Sequence, residues 1–91
     1  MNFSQKNYDI IRGWWAGEGK GENIIGNLYW KRTDKGVILY SYGEWYELAK
    51  RGTPDGVRVN SRTVSLTTTR QRQQLISFLK ENDVKYVEGE W

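Results

Sequence analysis

The chain contains no histidine and no cysteine. Without histidine it lacks the usual general base near neutral pH and the commonest metal ligand. Without cysteine there is no disulfide framework and no thiolate zinc site. No apolar run approaches the ~20 residues that a membrane-spanning helix needs. The opening residues carry no charged segment followed by an apolar one, so no secretory signal is expected. Proline occurs once, and alanine and methionine are scarce. At 91 residues the chain has room for one domain, expected to run over 1–91.

Aromatic residues take the place of the missing small ones: five Trp, six Tyr and two Phe. Large rings fill the cores of small domains, each burying ~150–250 Å². So many in so short a chain also leaves some for the surface, where Trp and Tyr anchor partners. Charge is unevenly spread. Residues 50–72 carry Lys50, Arg51, Arg58, Arg62, Arg70 and Arg72 against Asp55 alone, a net +5. Residues 81–91 carry Glu81, Asp83, Glu88 and Glu90 against Lys85. A basic middle and an acidic tail suggest one electropositive face, with a merely solvated surface as the alternative.

Periodicity predicts a helix over about 4–16, in which Tyr8, Ile11 and Trp15 recur at helical spacing, as do Ile10 and Trp14. Ser4 reads as its cap, with Phe3 and Tyr8 as a hydrophobic staple. Strands are expected over 24–32 and 37–40, joined by a turn at 33–36, and over 45–50 and 57–60, joined by a turn at Thr53-Pro54-Asp55-Gly56. A short fifth strand is expected over 62–66. A second helix is expected over about 68–82, with Thr68 and Gln71 as its capping box. Residues 84–87 read as a final edge strand. The fold class is therefore α+β: a small antiparallel meandering sheet of four to six strands with two helices packed on it. Trp14, Trp15, Leu39, Leu48, Val57, Val59, Leu75, Ile76 and Leu79 are the expected core.

Chemical motifs are sparse. Gly17-Glu18-Gly19-Lys20-Gly21 follows a helix and precedes a strand, the reverse of a phosphate loop, so it reads as a connector. Glu44 and Glu47 lie three apart in a strand and point to opposite faces, which prevents them working as a carboxylate pair. No catalytic residue, metal or cofactor is expected. Arg70 and Arg72 fall within the first turn predicted for the second helix, where cations are disfavoured. Their presence beside Arg58 and Arg62 makes sense if a phosphate or carboxylate sits there, or if they pair with Glu44, Glu47 or the acidic tail.

Leu39-Tyr40-Ser41-Tyr42-Gly43, Leu48-Ala49-Lys50-Arg51, Asp55-Gly56-Val57, Val59-Asn60 and Ser65-Leu66-Thr67-Thr68-Thr69-Arg70 occur in that order. This resembles a family of small phage and provirus proteins with the consensus "LYSYG…LA.R…DG..VN…YS.TTSRHQ". The likeness runs over roughly residues 39–75 and departs at Val64, Thr69 and Gln71, where Tyr, Ser and His are usual. It implies a viral setting rather than a reaction. The leading expectation is a non-enzymatic accessory protein in the host cytoplasm that binds nucleic acid or a nucleoprotein. Its candidate contacts are Trp45, Tyr46, Lys50, Arg51, Arg58, Arg62, Arg70 and Arg72, since Arg grips phosphate in a fork and aromatic rings stack on bases. The alternative is a stoichiometric inhibitor of a host defence protein or complex, in the manner of an anti-CRISPR protein, using the same surface.

Overall fold

The computed structural model describes residues 3–18, 27–42, 46–53, 56–62 and 65–91. Its elements run α1 (Phe3–Ala16), β1 (Leu28–Thr33), β2 (Gly36–Ser41), β3 (Glu47–Thr53), β4 (Gly56–Asn60), α2 (Leu66–Glu81) and β5 (Tyr86–Gly89). The strands form one sheet in the order β1-β2-β3-β4-β5. The fold is α+β, with both helices contributing to a single core against one face of the sheet.

Helix α1 turns Ile10, Ile11 and Trp14 inward. Trp15 lies roughly a quarter turn round from that stripe and is 38% exposed, so it leaves the expected core. Ser4 is inside the helix, which already includes Phe3, and is therefore not its cap. The helix ends at Gly17, whose φ of 74° is left-handed and whose N–H reaches the Gly13 carbonyl at 2.7 Å.

Strands β1 to β4 form an antiparallel meander. β1 is shorter than predicted, and residues 24–26 lie outside the described residues. Between β2 and β3, Leu39 faces Ala49 while Tyr40 faces Glu47, so Leu48 is the extra residue of a bulge. The irregularity lets both Leu48 and Ala49 enter the core.

Three expectations change after β4. Of the strand expected over 62–66, Arg62 is outside the ladder and Leu66 opens α2, while 63–64 lie outside the described residues. Ser65 caps the helix with extended backbone (φ −158°, ψ 164°), its hydroxyl accepting from the Thr68 N–H at 3.1 Å. This well-formed cap lets α2 open at Leu66 despite the β-preference of the Thr residues that follow. Thr68 is therefore the third helical residue rather than the cap, and Arg70 and Arg72 move into the second turn. The dipole penalty expected for them does not apply there, because that field fades within the first turn. The last strand, β5, runs parallel to β4, so the sheet is mixed. A helix between two strands carries the chain back to its starting end, which a tight turn cannot do.

The helix-packed face of the sheet carries Leu28, Val37, Leu39, Leu48, Ala49, Val57 and Val59, joined by Leu75, Phe78 and Leu79 of α2. No described helix covers the opposite face. One register row crosses all five strands there: Lys31, Ile38, Lys50, Arg58 and Val87.

Candidate functional site

Alternation along β3 and β4 decides where the basic residues point. Val57 and Val59 face the core, so Arg58 faces outward, and its register partner Lys50 does the same. Trp91, two residues beyond β5, lies with these cations. The Lys50 Nζ is 5.1 Å and the Arg58 Cζ 5.3 Å from its ring centroid. Cations this close to an indole are attracted by its ring electrons. Glu47 holds the cluster together: one carboxylate oxygen pairs with Lys50 Nζ at 2.9 Å and accepts from the Trp91 indole N–H at 3.0 Å.

The same face continues toward β1. Tyr29 and Tyr40 are register partners, with rings stacked at 5.1 Å and 24° between planes. Lys31 lies 5.9 Å from the Tyr29 ring. Ile38 and Tyr40 are buried although no described helix lies on them. The outer face thus presents cations and the partly exposed rings of Tyr29 and Trp91, with Glu47 as its anchor and Tyr40 buried.

The other predicted residues separate from this cluster. Tyr46 is 1% exposed in the core, and its hydroxyl donates to the Arg62 carbonyl, so it has no face on which a base could stack. Trp45 lies outside the described residues. Arg51 points to the opposite side of the sheet from Lys50, donating through Nε to the Trp14 carbonyl at 2.7 Å. Arg62 is exposed, with its guanidinium 5.4 Å from the Tyr46 ring. Arg72 is a clamp: Nε donates to the Asn60 carbonyl at 3.0 Å and Nη2 to the Arg62 carbonyl at 2.8 Å. Those two bonds tie α2 to the end of β4. Arg70 stands exposed on the helix. The expected single arginine patch is therefore divided: among the described predicted residues, Lys50 and Arg58 share the outer face with Trp91, while Arg62 lies over the buried Tyr46 ring.

The sequence reading missed Trp91, Tyr29, Tyr40 and Lys31. Tyr29 and Lys31 alternate with Leu28 and Trp30, and Tyr40 and Ile38 with Leu39, which is the signal that would have found them. Trp91 carried none, because it reaches the cluster through a contact 44 residues away in sequence.

A buried polar chain underlies the other end of the sheet, centred on Ser41, Thr68 and Gln71. Ser41, Thr68 and Gln71 are essentially inaccessible. Ser41 Oγ donates to Gln71 Oε1 at 2.6 Å, which commits its one proton. The 2.9 Å contact between Ser41 and Thr68 must then have Thr68 as donor. Thr68 in turn accepts from Ser65 Oγ at 3.1 Å. Gln71 Nε2 finishes the chain, donating to the carbonyl of Asn27 at 3.3 Å and its side-chain oxygen at 3.2 Å. The direction Ser65 to Thr68 to Ser41 to Gln71 to Asn27 is fixed by proton counting. These residues join β2, α2 and the segment before β1, a structural task.

Among the described residues, no three His, Cys, Asp or Glu gather in a way that could hold a metal ion. No helix among them is long and apolar enough to cross a membrane. No protein-family model, curated protein or solved structure matches this chain.

Proposed function

We propose that the protein is a non-enzymatic accessory protein of a phage, acting in the host cytoplasm by binding nucleic acid or a nucleoprotein through the outer face of its sheet. The observation that carries this reading is the Lys50–Trp91–Arg58 cluster on a face that no described helix covers. Single-stranded nucleic acid is held by such combinations: cations follow the backbone while bases stack on exposed rings. Among the described residues, Glu47 is a carboxylate of that cluster, and its charge is engaged by Lys50. The phage setting rests on the resemblance of residues 39–75.

Binding of single-stranded DNA, single-stranded RNA and duplex, followed against salt, tests the proposal. Arg58→Ala and Lys50→Ala should each weaken binding across sequences and reduce the salt slope by about 1. No binding at low salt, or affinity unchanged in the double substitution, would remove it.

A second reading, a stoichiometric inhibitor of a host protein, is favoured by a different surface. Tyr8, Arg12, Trp15, Ala16, Phe78, Glu81 and Asn82 line an open cleft of about 650 Å³ between α1 and α2. An exposed Trp beside Arg is what protein interfaces use as an anchor. Capture of partners from host lysate with and without nuclease separates the readings, as does salt, which weakens a phosphate-based contact far more than an aromatic one.

A further inference from the structure

The core-facing side of the sheet ends in a row Arg32–Val37–Arg51, with one arginine on each side of the valine. Both side chains lean over Val37 toward the C-terminal end of α1. Arg51 Nε donates to the Trp14 carbonyl at 2.7 Å, and Arg32 Nη2 donates to the Gly17 carbonyl. A Cβ on Gly17 would stand 2.7 Å from Arg32 Nη2 and 2.7 Å from Arg51 Nη2, so those two nitrogens are separated by no more than twice that distance. Gly17, with no Cβ, is what admits both.

Helix α1 accounts for part of this arrangement. It has no basic residue of its own in the last turn, and the sheet supplies cations to its free carbonyls. Among the described residues, however, the charges do not balance. A helix C-terminus offers about half a negative charge, against two full positive ones. Among the described residues no carboxylate lies within ion-pair distance of either guanidinium, and the neighbouring Glu18 pairs with neither. The mutual repulsion is felt: the Arg51 guanidinium is pushed below its ordinary pKa by burial and then by Arg32. Each guanidinium has five N–H donors, and the two carbonyls use one apiece. Arg32 is exposed and Arg51 half-buried, so the remaining donors are reachable.

We infer that Arg32 and Arg51 form a binding site for a phosphate dianion, inorganic phosphate or a terminal phosphomonoester, bridged between the two guanidiniums beside Gly17. Charge selects the class. A phosphomonoester carries ≈ −1.5 to −2 at pH 7 and matches two cations, where a phosphodiester carries half as much. Paired forks also suit its three equivalent oxygens. The ligand is either free phosphate or the 5′-phosphate of a nucleic acid, and the site does not depend on the outer-face reading.

The test is titration of inorganic phosphate into the full chain at constant ionic strength, with the Nε–Hε NMR resonances of Arg32 and Arg51 followed against a chloride control. Both should shift saturably with phosphate, and Arg32→Gln should weaken binding by about tenfold or more. Arg51→Lys keeps the charge at the helix end but not the fork, and should weaken it as well. Competition by a 5′-phosphorylated oligonucleotide but not its 5′-hydroxyl twin identifies a nucleic-acid end as the source. Equal failure of both, with phosphate still binding, identifies the free anion. Shifts that never saturate, that chloride reproduces, or that survive both substitutions undiminished would overturn the site.

Discussion

Thr68→Val tests the directed hydrogen-bond chain with almost no change of shape. The substitution deletes two bonds, the donation from Thr68 to Ser41 and the acceptance from Ser65, while the backbone cap at Ser65 stays. Ser65 is only half-buried, so water can take up its hydroxyl. Ser41 keeps its donation to Gln71, so no buried group is left without a partner. Two bonds at about 0.5–1.5 kcal/mol each give an expected loss of about 1–3 kcal/mol. In a domain of this size that lowers Tm by roughly 4–8 °C for each kcal/mol. Ser41→Ala differs in kind, because it strands both the Thr68 proton and Gln71 Oε1 in the interior, and each stranding costs about 1–3 kcal/mol. Urea denaturation should therefore rank Ser41→Ala as the costlier change, with an unchanged m-value for both. The double variant should show a coupling of at least about 0.5 kcal/mol. Equal costs, or strict additivity, would refute the polarity assigned to the chain.

Three further outcomes follow. Gln71→Glu sets a carboxylate against the two Asn27 oxygens, raising the native pKa of that carboxyl above its unfolded value; stability should be greatest at acid pH and fall as pH rises through the raised pKa, measured by thermal melts from pH 3 to 8. Leu79→Ala, at a position with no exposure, should cost ~2–5 kcal/mol in urea, and a value below about 0.5 would mean the inner face of α2 is misassigned. Tyr46→Phe should lose about 0.5–1.5 kcal/mol of stability with the bond to Arg62, yet leave any nucleic-acid affinity unchanged in a binding titration, because the ring is buried.

Periodicity carried most of the architecture. Leu39, Val57 and Val59 were legible as inward residues from strict alternation, and Leu75 and Leu79 from helical spacing. Tyr46 was legible too, since it shares the parity of Leu48, but its aromatic character drew the reading toward stacking. Trp15 failed because a quarter-turn error on a helix is within the width of an amphipathic stripe. Ser65 and Thr68 are chemically alike as caps, and only the backbone conformation at 65 distinguishes them. The direction of β5 was not legible, because a short terminal strand has the same alternation whichever way it runs. The site suffered most: Lys50 and Arg58 came together through register, while Arg51, Arg70 and Arg72 were dispersed by parity and helix phase, which charge counting ignores.

The parallel pairing of β5 has a consequence for how the domain assembles. The four meandering strands close through short connections and can form from local encounters, which are fast. β5 must wait for α2, whose 16 residues span about 24 Å and carry the chain back past β4. It therefore joins after the meander and, as a four-residue strand at the sheet's edge, frays readily. Because Trp91 follows it by two residues, fraying of β5 withdraws the indole from Lys50 and Arg58. A ligand that grips Trp91 therefore holds β5 in place, and amide exchange in Tyr86–Gly89 would slow as the fraction of unoccupied protein falls.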